Sequence, residues 1–232
     1  MTASLSVRRQ PGSGRPVAFL HGLASSGAQD WPDAEWGEEL AGRPRVVVDL
    51  PAHGASPALG AAPTSRVLDA LAEALGGEEA DVIAYSLGAR LAWDLAAHPG
   101  VRIRRLVLGG LAAGEPFALV DLPSARAALV GGAAPADPLT GMIVHMATLP
   151  GNRPADVLDL VEGLAAEPFD PAAAAPRQPV LLVGGVDDGM AAGIDELAAL
   201  LPDAVVERVP GDHVAALHSA EFRRAAAGFL AD

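Results

Sequence analysis

The sequence predicts an α/β fold: a mostly parallel central sheet flanked by helices, with a small helical lid inserted at about residues 111–177. Three observations carry this. Short apolar runs of strand length alternate with helix-period stretches on both sides of that block. The block itself breaks the rhythm, since no strand-like run with clear flanks occurs within it. Outside it, every polar residue with chemical potential follows directly after a predicted strand, at the sheet edge where open α/β folds bind ligands. The chain is read as one domain over 1–232, with its core in 1–110 and 178–232 and its lid in 111–177.

Leu5–Arg9 alternates weakly and reads as an edge strand, closed by the Pro11-Gly12-Ser13-Gly14 turn. Val17–Leu20 is wholly apolar, as a parallel strand buried on both faces should be. It leads into the glycine-containing loop His21–Gly27, and Trp31–Leu40 can form a short helix. Arg45–Leu50 is the next strand, followed by the turn-rich Pro51–Ser56 loop. Thr64 can cap a helix to about Leu75, with Val67, Leu68, Leu71 and Leu75 on one face and Gly76-Gly77 as its stop. Asp81–Tyr85 is a strand that meets a serine at a tight turn. A helix over Leu87–His98 leaves that turn, with Leu87, Leu91 and Leu95 in line.

Arg105–Leu108 is a further strand, after which the lid begins. Helix-compatible pieces are Ser124–Val130, Leu139–Leu149 and Pro154–Glu167, and the Ala/Pro-rich Pro168–Pro179 is a connector. The rhythm resumes with a strand over Pro179–Val183, a helix over Ala191–Leu201, a strand over Ala204–Val209 and a closing helix over His218–Leu230. Strands separated by helices pair in parallel through right-handed crossovers. An insertion between two of them overhangs the ligand edge, hence the expectation of a lid.

The bulk numbers narrow the function. A chain of 232 residues with half its residues apolar can bury a sizeable core. A net charge of −13 leaves no basic footprint for nucleic acid. The absence of Cys excludes disulfides, thiolate metal sites and a cysteine nucleophile. No apolar run approaches the ~20 residues of a membrane span, and no secretory pattern opens the chain. The reading is a cytoplasmic protein acting on a small molecule, with neither nucleic acid nor membrane as partner; monomer and dimer both stay open. Glycine loops without a P-loop lysine or a dinucleotide fingerprint, and no metal-ligand spacing, predict no cofactor.

Serine, acid and histidine converge at one edge. Ser86 sits in Ala84-Tyr85-Ser86-Leu87-Gly88, a G-x-S-x-G elbow whose first glycine is replaced by the next smallest residue. A serine hydroxyl needs a base to become a nucleophile, and an imidazole needs a carboxylate to hold its tautomer. His213 is the expected base. Asp187 is the expected acid, with its neighbour Asp188 the rival and Glu115 a remote third. The order Ser86, Asp187, His213 is that of the elbow class. The N–H groups of Leu87 and Leu23 are the expected oxyanion donors. Tyr85, Arg90, Met142 and Met146 are candidate substrate-binding residues. His21 and His53 read as structural hydrogen-bonders and Asp49 as a tie between strand ends; Trp31 and Trp36 read as packing, and His145 and His218 as surface residues.

Taken together, Leu20-His21-Gly22, Asp49-Leu50-Pro51-Ala52-His53-Gly54-Ala55-Ser56, Ala84–Gly88, Gly184-Gly185-Val186-Asp187 and Gly211-Asp212-His213 resemble the motif set of the α/β-hydrolase fold superfamily over nearly the whole chain outside the lid. The resemblance implies a serine hydrolase, esterase in type, acting through an acyl-enzyme on a small or medium, largely apolar ester. Within the superfamily, Tyr85–Arg90 together with Asp49-Leu50-Pro51 resembles the menaquinone-pathway 2-succinyl-6-hydroxy-2,4-cyclohexadiene-1-carboxylate synthase, which has an arginine where Arg90 stands. That family binds a polyanion with further lid arginines; here the lid carries Arg126 and Arg153, with Arg177 at its end. The alternatives are therefore a lyase of that kind or a non-catalytic ligand-binding member of the fold.

Overall fold

A computed structural model describes residues 4–231. Seven strands form one sheet: β1 (Val7–Gln10), β2 (Val17–Leu20), β3 (Arg45–Val48), β4 (Glu79–Tyr85), β5 (Arg102–Gly109), β6 (Val180–Gly185) and β7 (Ala204–Val209), in the order β1-β3-β2-β4-β5-β6-β7. Only β1 runs antiparallel, pairing Val7 with Val48 and Gln10 with Arg45. The helices are α1 (Gly27–Asp30), α2 (Asp33–Glu39), α3 (Thr64–Leu75), α4 (Leu87–Leu95), α5 (Leu122–Leu129), α6 (Pro138–Ala147), α7 (Pro154–Ala166), α8 (Ile194–Ala198), α9 (His213–Leu217) and α10 (Ala220–Ala231). None of the helices among the described residues is long and apolar enough to cross a membrane.

The alternation of strand side chains divides the interior into two layers. Ala18, Leu20, Val82, Ala84, Leu106, Leu108, Val180 and Leu182 face one way, onto α3, α4, α8 and the insert. Phe19, Ile83, Tyr85, Val107, Leu181 and Val183 face the other, where Trp31, Trp36 and Phe222 stack edge to face around Phe19 and Tyr85. The two tryptophans are thus core residues, as expected.

Several expected elements differ in extent. Thr64 is the first residue of α3 and not its cap. Its hydroxyl donates instead to the Glu167 carbonyl at 2.8 Å, tying α3 to the end of the insert. The helix predicted over 191–201 shrinks to α8 behind a 3-10 turn at Gly189–Ala191. The closing helix predicted from His218 begins two residues later as α10, and an unpredicted short helix, α9, precedes it, so His218 sits at the junction between them. Asp212 caps α9, accepting from the amides of Val214 and Ala215 at 3.1 and 2.9 Å, with His213 as the first helical residue.

The insert lies between β5 and β6 and holds α5, α6 and α7. Asp121 and Asp137 cap the first two helices, each with proline in the opening turn. At its base is a buried ion pair. Glu115 Oε2 accepts from Arg90 Nε and Nη2 at 2.9 and 2.7 Å and from the Phe169 amide at 3.0 Å, while Oε1 accepts from the Phe117 amide at 2.9 Å. One carboxylate therefore holds both ends of the insert to the elbow helix α4.

Candidate active site

The elbow is formed as the motif requires. Ser86 follows β4 directly, at the N-cap of α4, with φ 51° and ψ −116°, a positive-φ geometry that is strained for a residue with a side chain. Gly88 explains the small-residue requirement: a Cβ there would lie 2.4 Å from the Leu20 carbonyl oxygen and 2.7 Å from that of His21. The first motif position, two residues before the serine, is Ala84, which is buried within the sheet. As the first residue of α4, Leu87 has no intrahelical acceptor for its amide.

Two buried imidazoles shape the facing loop. His21 Nε2 accepts from the Leu50 amide at 2.9 Å while Nδ1–H donates to the Gly22 carbonyl at 2.7 Å. His53 Nε2 accepts from the Ala24 amide at 2.8 Å while Nδ1–H donates to the Pro51 carbonyl at 2.8 Å. Burial, reinforced at His21 by the neighbouring His53, lowers both; His21 is brought down to about 3, so each is neutral in this role. Asp30 Oδ2 accepts from the Gly22 amide at 2.9 Å. The amides on either side of Leu23 are thereby pinned, and among the described residues the Leu23 amide between them has no protein acceptor. Asp49 holds the Gly27 and Ala55 amides at 2.9 and 3.0 Å, the strand-end tie expected of it.

The acid is where the geometry corrects the sequence reading. Asp187 is exposed at the tip of the turn after β6 and does not meet His213. Asp188 returns over the sheet edge, its side chain fully buried, and Oδ2 lies 2.8 Å from His213 Nδ1. Its other oxygen caps the 3-10 turn, accepting from the Met190 amide at 2.9 Å. Burial pushes the Asp188 carboxyl up, but the hydrogen bond and charge of His213 and the Met190 and Ala191 amides outweigh it and hold it below the usual range. The reason is turn length: the Asp188 amide bonds the Gly185 carbonyl, so the chain reverses one residue later than the motif count from Gly184 implies. Counting G-x-x-D from Gly185, or reading Asp188 as a cap, finds the residue that meets His213. Glu115 is not an acid for His213 either; it is consumed by Arg90.

Ser86, Leu87, Leu23, His213, Tyr85, Arg90, Met142 and Met146 all line one cavity of about 730 Å³. Its walls are mostly apolar: Leu111, Phe117, Leu139, Ile143 and Phe169 join the two methionines. Tyr85 is foremost a prop for His213. Its hydroxyl donates to the His213 carbonyl at 2.7 Å, its ring packs 5.2 Å from the imidazole, and burial raises its pKa. Arg90, only 4% exposed, gives its donors to Glu115, Thr64 and the Glu167 carbonyl. It borders the cavity as half of a neutral pair. Arg126 and Arg153 do not reach it; they bond to Asp159 and Glu162, and to Asp156 and the carbonyls of Gly54 and Ser56. His145 is exposed.

The sequence reading missed Asp30, a buried carboxyl in the cavity wall, because its acceptor role depends on a turn eight residues earlier in the chain. Among the described residues, no group of His, Cys, Asp or Glu is arranged to hold a metal ion. The arrangement can attack an acyl carbon, shuttle a proton through an imidazole fixed by a carboxylate, and hold an oxyanion on two amides.

Comparisons with known proteins bear on the fold. Residues 15–153 match the family described as alpha/beta hydrolase fold. No curated sequence relative matches the chain. Among solved structures, MenH from S. aureus superposes with a TM-score of 0.77 at 20% identity, covering 100% of this chain and 98% of that one. A hydrolase from Pseudomonas aeruginosa PA01 superposes at 0.75 and 24% identity, covering 99% and 95%. A thermophilic esterase from Thermogutta terrifontis superposes at 0.74 and 20% identity, covering 98% and 93%.

Proposed function

The chain belongs to the alpha/beta hydrolase fold family, and from that premise we propose that it is a serine hydrolase cleaving carboxylic esters with a small or medium apolar acyl group. Ser86 Oγ attacks the ester carbonyl as His213 Nε2 takes its proton. Asp188 holds Nδ1–H and stabilises the imidazolium. The negative charge that develops on the carbonyl oxygen is met by the Leu23 and Leu87 amides. His213 then returns the proton to the departing alcohol, and a water activated by the same imidazole releases the acid.

The observation that carries this reading is the joint one at the cavity: a strained serine and an imidazole on its wall, the imidazole's far nitrogen 2.8 Å from a fully buried carboxylate. The apolar acyl group follows from the walls, where Met142, Ile143, Met146 and Phe169 offer dispersion contacts and no charge. A lyase working on a polyanion finds less support, because the one arginine on the cavity wall is already neutralised by Glu115.

A fluorophosphonate probe and p-nitrophenyl butyrate test the proposal. Wild type should label and turn over, and Ser86→Ala should do neither. Equal labelling of both proteins, or turnover that survives in Ser86→Ala, would refute it.

A further inference from the structure

The cavity has one polar corner. Asp30 is only 6% exposed yet lines the cavity together with Ser25 and Gln29. Its carboxyl accepts from the Gly22 amide through Oδ2 and from the Ser25 hydroxyl through Oδ1. A carboxylate has about four lone-pair sites, so each oxygen keeps acceptor capacity beyond those two protein donors. Burying a carboxyl beside an apolar cavity is unfavourable unless partners meet it, and the polar side chains that share this wall are Ser25, Gln29, Ser86, Arg90, His213 and His218.

The corner's position says which part of a substrate would meet it. A Cβ on Gly22 would lie 3.6 Å from Ser86 Cβ and 3.7 Å from Asp30 Oδ2, so nucleophile and carboxyl flank the same glycine. Asp30 is also within electrostatic range of the His213 and His218 imidazoles. A leaving alcohol takes its proton from the catalytic base, so it must lie on the His213 side of the carbonyl. Asp30 lines the same cavity as that imidazole. The insert helix α6, with Met142 and Met146, supplies the apolar wall for the acyl part.

We propose that Asp30 forms a leaving-group subsite that selects esters whose alcohol portion carries a free hydroxyl, as glycol and glycerol monoesters do. The inference rests on the serine-hydrolase reading. An apolar acyl group enters under the insert, and the hydroxyl of the departing diol donates to the Asp30 carboxylate. A simple alkyl alcohol leaves the remaining acceptor capacity of that carboxylate desolvated and unused, which is how a site built for a hydroxyl disfavours the analogue lacking one.

The test compares three butyrate esters: 2-hydroxyethyl, propyl and choline. The first two match in size and differ by the donor; choline adds charge with no donor. For wild type, kcat/KM for the hydroxyethyl ester should exceed that for the propyl ester by about tenfold or more, the effect of one hydrogen bond to a charged group. The choline ester should show no advantage over propyl. Asp30→Asn, which keeps an acceptor for the Gly22 amide, and Asp30→Leu should both be titrated with fluorophosphonate so that rates refer to active molecules. The hydroxyethyl-to-propyl ratio should fall toward unity in at least one of them. Damage to the oxyanion loop would slow both esters alike and leave the ratio unmoved. A wild-type ratio near unity, a choline ester preferred over both others, or a ratio unchanged in both variants overturns the proposal. Failure of all three esters together with absent Ser86 labelling overturns the hydrolase reading instead.

Discussion

Replacing Asp188 by Asn removes a buried charge 2.8 Å from His213 Nδ1 without changing the volume of the side chain. Two effects follow. The Asn amide can present N–H to Nδ1, which turns the ring to the tautomer with its proton on Nε2, the nitrogen that must accept from Ser86. The imidazolium formed in the transition state also loses its counter-charge. In the Ser-His-Asp template this change lowers kcat by about 10⁴-fold, or roughly 5 kcal/mol of transition-state stabilisation. The same loss is expected for Asp188→Asn, with KM little changed, because the acid lies behind the imidazole and touches no substrate. Asp187→Asn is the matched control. Its side chain is exposed at the turn tip and does not meet His213, so kcat should stay close to wild type, and stability within about 0.5 kcal/mol. Both variants are to be assayed on p-nitrophenyl butyrate, with thermal melts confirming the fold. If Asp188→Asn retains activity within about tenfold of wild type, or Asp187→Asn falls as far as it does, the assignment of the acid by geometry is wrong.

Gly88→Ala should lower the melting temperature and cut kcat by about 10²-fold, since α4 must move off the Leu20 carbonyl and carry the Leu87 amide with it; differential scanning fluorimetry and steady-state kinetics read both. Arg90→Met should destabilise the protein by about 3–5 kcal/mol by leaving Glu115 buried without its counter-charge, while the double change with Glu115→Leu should recover part of that loss in urea melts. His21 is held near 3, and His53 also below its ordinary value, both chiefly by burial. The unfolded chain therefore binds more protons below pH ~6.5, and stability should fall as pH drops from there toward 3; His21→Gln should flatten that part of a denaturation-against-pH curve. Tyr85→Phe removes the hydroxyl bonded to the His213 carbonyl and should cost about 1 kcal/mol in a melt.

Much of the site was legible because it depends on local chain direction. A strand of alternating side chains that ends in a small-residue turn must project its serine at the sheet edge, and the same logic put His21, Asp49 and His213 at their strand ends. The structural roles of His21 and His53 and the burial of Trp31 and Trp36 were legible as well. Asp187 was misjudged because adjacent residues in a turn point in opposite directions, and a single hydrogen bond from the Asp188 amide to the Gly185 carbonyl decides which one turns inward. No property of the two aspartates as residues distinguishes them.

Arg90 shows the same limit at longer range. A helix arginine beside the elbow is a sound candidate for gripping an anion, and the family resemblance encouraged that view. Its partner is 25 residues away at the start of the insert, so the pairing emerges only when β5 brings Glu115 back over α4. Asp30 escaped notice for a related reason: its value lies in facing the Gly22 amide and the cavity at once. The sequence alone therefore determined the fold class and the placement of Ser86 and His213 at the sheet edge, because these follow from short-range periodicity and turn chemistry. Tertiary structure alone decided which carboxylate serves the histidine, which arginine is already spent and which wall of the cavity is polar, because each depends on where side chains distant in the chain meet.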